Sequence, residues 1–160
     1  MKTTNNTIAL QWLGVRDAKA YLMASLFVAA GIALPQLCHL MPQGGFIFLP
    51  IYFFTLIAAY RYGPAVGLLT AVLTPVANSA LFGMPAAAML PVIMAKGSIL
   101  ALAASLVAHR AGKVALWAVA LAVVVSQALG LVFGIQDIML GWPGVLLQIF
   151  GGWAVLKAWK

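Results

Sequence analysis

Six runs of apolar residues, each about as long as a bilayer is thick, dominate this chain. They span Ala18–Leu34, Gln43–Tyr60, Gly63–Phe82, Pro85–Ala108, Val114–Phe133 and Ile138–Leu156. A spanning helix needs about 20 mostly apolar residues, because it rises about 1.5 Å per residue across a hydrocarbon core about 30 Å thick. Lipid offers backbone groups no hydrogen-bond partner, so such runs must satisfy themselves as helices. Of the 160 residues, 65% are apolar and 7% charged, where a soluble domain carries roughly a quarter charged. No single soluble core could hide that much apolar surface. The expected fold class is therefore an all-α membrane protein, a bundle of six transmembrane helices. Residues 1–160 form one transmembrane domain, and residues 1–17 form a cytoplasmic or interfacial segment ahead of the first span.

Glycine or proline marks most joints: Pro35, Gly44-Gly45, Gly63-Pro64, Gly83 with Pro85, Gly112, and Gly141 with Pro143. Short joints make sequence neighbours antiparallel neighbours in space. Orientation is read from lysine and arginine, which accumulate in cytoplasmic loops. Eight of the nine, Lys2, Arg16, Lys19, Arg61, Arg110, Lys113, Lys157 and Lys160, fall at one set of helix ends. The opposite loops, Gln36–Gln43, Phe82–Met84 and Gly134–Asp137, carry none. Both termini are accordingly expected in the cytoplasm. Trp12, Trp117, Trp159 and Trp142 lie where interfacial anchors belong. The segment Thr7–Val15 admits two readings, a helix along the interface with Ile8, Trp12 and Val15 on its apolar face, or an unstructured tail.

The net charge of +7 does not indicate nucleic acid, because the basic residues are scattered singly between apolar runs. One cysteine, Cys38, excludes an internal disulfide framework. His39 and His109 fall on opposite sides of the expected bilayer, as do Asp17 and Asp137, so no metal set or paired carboxylates converge. No glycine-rich phosphate loop is present. No enzyme, no metal and no cofactor of its own are expected in this chain, and any energy input must come from a partner or an ion gradient.

Lys96 is the one ionisable residue deep in a run. A lysine near the bilayer centre costs about 2.5–3.5 kcal/mol on insertion scales, so its ammonium should face a cavity. Two readings stand: contact with an anionic group of a ligand, or a structural pair with Asp137 or a nearby carbonyl. Other polar or aromatic residues gather toward the same membrane depth: Phe46 and Tyr52 in the second run, Thr74, Asn78 and Ser79 in the third, Gln127 in the fifth. An apolar pocket with a few polar groups suits a small organic ligand. The uncharged loops holding His39, Gln43 and Met84 could cover it as lids.

From Gln43 to Ala108, and again in the sixth run, the chain resembles the S components of energy-coupling-factor (ECF) transporters. The matching elements are Phe48-Leu49-Pro50 after a glycine-rich lead, Gly63-Pro64 with Gly67, Thr74-Pro75, Gly83-Met84-Pro85, and Gly141-Trp142-Pro143-Gly144 leading to Gln148. The resemblance implies a six-helix subunit of a prokaryotic cytoplasmic (inner) membrane that binds a vitamin or related micronutrient on its outer side. Such a subunit joins two cytoplasmic ATPases through a transmembrane T component. On this resemblance Ala20 and Ala24 match the AxxxA element that docks the T component; the substrate set expected from the residues themselves is Lys96, Tyr52, Asn78, Ser79, Phe46, Gln127, His39 and Met84. Three departures stand out: Tyr52 and Phe54 replace the His and Pro of many members, and Lys96 replaces their Glu. Inverting a buried charge inverts the preferred ligand charge, so an anionic ligand is expected. The alternatives are a non-transporting membrane scaffold and a stand-alone small-molecule facilitator.

Overall fold

The computed structural model describes residues 10–38, 40, 44–134 and 139–159, and of residues 45 and 46 the backbone alone. Among these residues the chain is helical with no strand. The elements are α1 (Ala18–Cys38), α2 (Gly44–Phe48), α3 (Pro50–Tyr62), α4 (Pro64–Phe82), α5 (Leu90–Ala111), α6 (Leu116–Gly130), α7 (Trp142–Leu146) and α8 (Gly152–Ala158). Single turns precede α5 and follow α6, and a π turn, Leu147–Gly151, joins α7 to α8 without interruption. Four helical stretches are long and apolar enough to cross a membrane: Ala18–Cys38, Pro64–Phe82, Ala87–Ala111 and Leu116–Phe133.

The second and sixth runs differ from expectation in ways the chain chemistry explains. The second breaks at Leu49, whose φ of 47° and ψ of 47° are left-handed. Pro50 disfavours the helical conformation in the residue before it, and close burial of Leu49, 6% exposed, holds the strained backbone in place. What remains is α3, 13 residues long, too short to span alone. Among the described residues the last helix runs from Trp142 to Ala158, past the expected end at Leu156; the expected start at Ile138 lies outside the described residues. Its buried positions are Gly144, Gln148, Gly152 and Leu156, a row repeating every four residues. In a regular α-helix such a row drifts by about 40° per step. The wider π turn in its middle takes up that drift and keeps the row facing inward.

α1 also passes the expected stop at Pro35, continuing to Cys38, and α4 runs through Pro75. Helices buried in apolar surroundings tolerate an internal proline where neighbours compensate the lost bond.

α3 lies at the centre, packing against α1, α4, α5 and α8, while α4, α5 and α6 pack each on its sequence neighbour. Small residues set the spacing. A Cβ on Gly67 of α4 would strike Ala59 of α3 and meet Ala101 of α5 at 3.1 Å; a Cβ on Gly31 of α1 would come within 2.6 Å of Thr74. Ser105 of α5 donates across to the Ala59 carbonyl at 3.2 Å. Ala20 and Ala24, 0% and 2% exposed, belong to this interior and pack within the bundle.

The N-terminal segment is neither of the two expected forms over its described part. Leu10–Gly14 is an extended strap: Gln11 and Leu13 donate their backbone N–H groups to the carbonyls of Arg61 and Tyr62 at 2.9 and 3.0 Å. The end of α3 thus fills acceptors that a helix terminus leaves open. Trp12 lies over Gly63 and stacks near His109, ring centroids 4.9 Å apart. Tyr60 donates to the Lys113 carbonyl at 2.9 Å. Arg16, Lys19, Arg61, Arg110 and Lys113 therefore share one end of the bundle.

Candidate functional site

Lys96 lies in α5 one turn before Leu100, on a face turned toward α3 and α6. Gly130 at the end of α6 leaves room for its stem, with the Lys96 Cγ 4.0 Å from where a Cβ would stand. Tyr52 enters from the first turn of α3, set by the break at Leu49. Ser126 and Gln127 come from α6, and Gln148 comes from the π turn. These residues, with Leu100 and Gly130, line a small cavity inside the helix bundle. About 20 Å³ of it admits the centre of a water molecule, room for roughly one water.

The polarity of the lining is concentrated. Tyr52 and Ser126 are each 8% exposed and Gln148 is 1% exposed. Ser126 spends its hydroxyl proton on the Val123 carbonyl at 2.8 Å, which leaves its oxygen as an acceptor. The Gln148 amide nitrogen is sealed from solvent and meets no hydrogen-bond partner. Most buried polar groups in folded proteins find a partner, so this one calls for a reason.

Three of the expected substrate residues, Lys96, Tyr52 and Gln127, meet at this cavity. Asn78 does not. It is 1% exposed and binds α1 to α4, donating to the carbonyls of Gly31 at 3.1 Å and Thr74 at 2.9 Å while accepting from Gln36 at 3.4 Å. These bonds pair the two helices. Ser79, next to it on α4, is half-buried away from the cavity lining. Met84, 49% exposed, stands in the α4–α5 connection and does not line the cavity either. His39, Gln43, Asp137 and the Phe46 side chain lie outside the described residues.

Gln148, Ser126, Leu100 and Gly130 were not anticipated as lining residues. Gln148 carried a readable signal: it is the one amide in the otherwise apolar run Ile138–Leu156, as Gln127 is in the run before it. Ser126 and Gly130 carried none, because small residues in apolar helices usually mark packing.

Comparison with protein-family models, with curated proteins and with solved structures gives no match. What the chain can do is argued from its own residues.

Proposed function

We propose that this protein is the substrate-binding S component of an ECF-type importer, capturing an anionic, vitamin-like micronutrient for uptake powered by partner ATPases. One observation carries the reading: Lys96, Tyr52 and Gln127, singled out independently for polarity within apolar runs, converge with Gln148 on one cavity between α3, α5, α6 and the last helix. A cation among amides and an aromatic ring in an apolar wall suits a small organic acid. The motif resemblance from Gln43 to Ala108 and at Gly141–Gln148 supplies the transporter class.

The remaining topology belongs to the same proposal. The broken second run and the sixth helix complete six crossings, the basic end faces the cytoplasm of a prokaryotic cell, and the uncharged loops face out. A T component and two ATPases deliver the energy, since the chain has no phosphate-binding loop of its own. Binding requires the ends of the helices around the cavity to part, because one water's volume does not hold a vitamin.

That small volume favours one second reading, a non-transporting membrane subunit whose interior polar cluster is structural. Native mass spectrometry of the purified chain separates the two. A retained small acid released on unfolding supports capture; a bare polypeptide, with no uptake when the chain is co-expressed with an ECF module, supports the scaffold.

A further inference from the structure

The last helix is pressed against the bundle along the face that carries Gln148. A Cβ on Gly144 would run into the backbone of Ile47 and Phe48, and one on Gly152 would meet Leu56 of α3 at 3.0 Å. These two glycines stand four residues either side of Gln148, so they set how deep its amide reaches. The π turn, a form frequent at functional sites, aims it into the cavity. A leucine would fill the same space without burying a polar group that has no partner. The Gln148 amide nitrogen is nonetheless buried, partnerless and part of the lining.

We propose that Gln148 is a ligand-recognition residue whose amide N–H donates to a carboxylate oxygen of the bound molecule. This rests on the capture reading above and adds to it the contact that selects an acceptor group. The carboxylate follows from the company the amide keeps. The Lys96 ammonium lines the same cavity and favours negative charge, and hydrogen bonds to a charged acceptor are roughly twice as strong as neutral ones. Ser126 already donates within its own helix, whereas the Gln148 N–H is buried at the cavity with no acceptor.

The test uses the purified full-length chain in detergent with four probes: propionate and benzoate, and their neutral twins propionamide and benzamide. Binding is followed by NMR titration, and melting temperature is measured in parallel. The wild-type chain should bind the carboxylates about tenfold or more tighter than the amides, and Gln148→Leu should weaken carboxylate binding by about tenfold or more. The same variant should melt at a higher temperature, because it removes a buried group with no partner; a structural glutamine would give the opposite shift. Gln148→Glu keeps the shape and replaces the donor by an anion, so it should lose carboxylate binding even if the leucine variant aggregates. Unchanged benzoate affinity in either variant overturns the inference, as does a Gln148→Leu chain that only loses stability. If the chain retains a co-purified molecule whose affinity ignores both variants, the Gln148 contact falls while capture stands. If no molecule is retained and neither carboxylate binds, both readings fall and the cavity holds water alone.

Discussion

Two polar side chains within apolar helices show how differently such helices can use the same chemistry. Asn78 satisfies its amide within the fold, tying α1 to α4 through the carbonyls of Gly31 and Thr74. Interhelical hydrogen bonds of this kind are worth about 0.6 kcal/mol on average and up to about 1.7 kcal/mol. Asn78→Ala should therefore lower stability by about 1 kcal/mol in a detergent unfolding assay and leave carboxylate binding as it was. Lys96 lines the cavity. Changing it to glutamate puts a negative charge on the wall of the cavity, and Lys96→Glu should reduce benzoate affinity below detection in the same titration, whereas Lys96→Arg should keep part of it. Equal affinity in Lys96→Glu and wild type would end the anionic-ligand proposal. The sequence could tell that both residues are unusual in apolar runs, but not that Asn78 is spent on joining two helices. Asn78 finds one of its acceptors 47 positions away, at Gly31, and no local pattern announces so distant a contact.

Elements in this bundle are held by close approach, and glycines show where. Gly67 sits where α4 crosses α3 and α5, with Ala59 and Ala101 against it. Gly67→Val should destabilise the protein by about 1–3 kcal/mol or more through overpacking, read as a lower melting temperature and broadened gel filtration. Gly83 is a control with a different cause. It ends α4 at φ 71° with nothing within 4 Å of a would-be Cβ, so Gly83→Ala should cost only about 1 kcal/mol, from backbone strain alone. The spans of α1, α4, α5 and α6 were legible because length and apolarity suffice to define them. The second and sixth runs were legible as apolar segments and not as helices with internal breaks. The left-handed Leu49 and the π turn at Leu147–Gly151 depend on tertiary burial, which hydropathy does not contain. The strap over Arg61 and Tyr62 was missed for a related reason: its stability comes from the open carbonyls of another segment, not from any propensity of its own.

At the scale of the whole molecule, charge asymmetry and structure speak to the same axis. The strap, the end of α3 and the α5–α6 connection meet through Trp12, His109, Arg61, Tyr60 and Lys113, which gathers five basic side chains at one end. Reporter fusions give the test of six crossings. A periplasm-active phosphatase joined after Gly83 should be active, and one joined after Arg61, Lys113 or Trp159 should be silent, with a cytoplasm-fluorescent reporter giving the reverse. Activity after Trp159 would mean an odd number of crossings and would remove the proposed orientation.

The period-four row of the last helix makes a one-residue deletion informative. Removing Ile149 would let the π turn relax to ordinary α geometry and space the four buried residues at intervals of four, three and four, which at about 100° per residue still share one face. Leu156, now 0% exposed, would stay inside, while its distance along the axis from Gln148 would shorten by about 1.5 Å. The deletion should therefore keep the fold and change only how deeply the amide at 148 reaches, so the extra residue adjusts the wall of the cavity and not the seating of the helix.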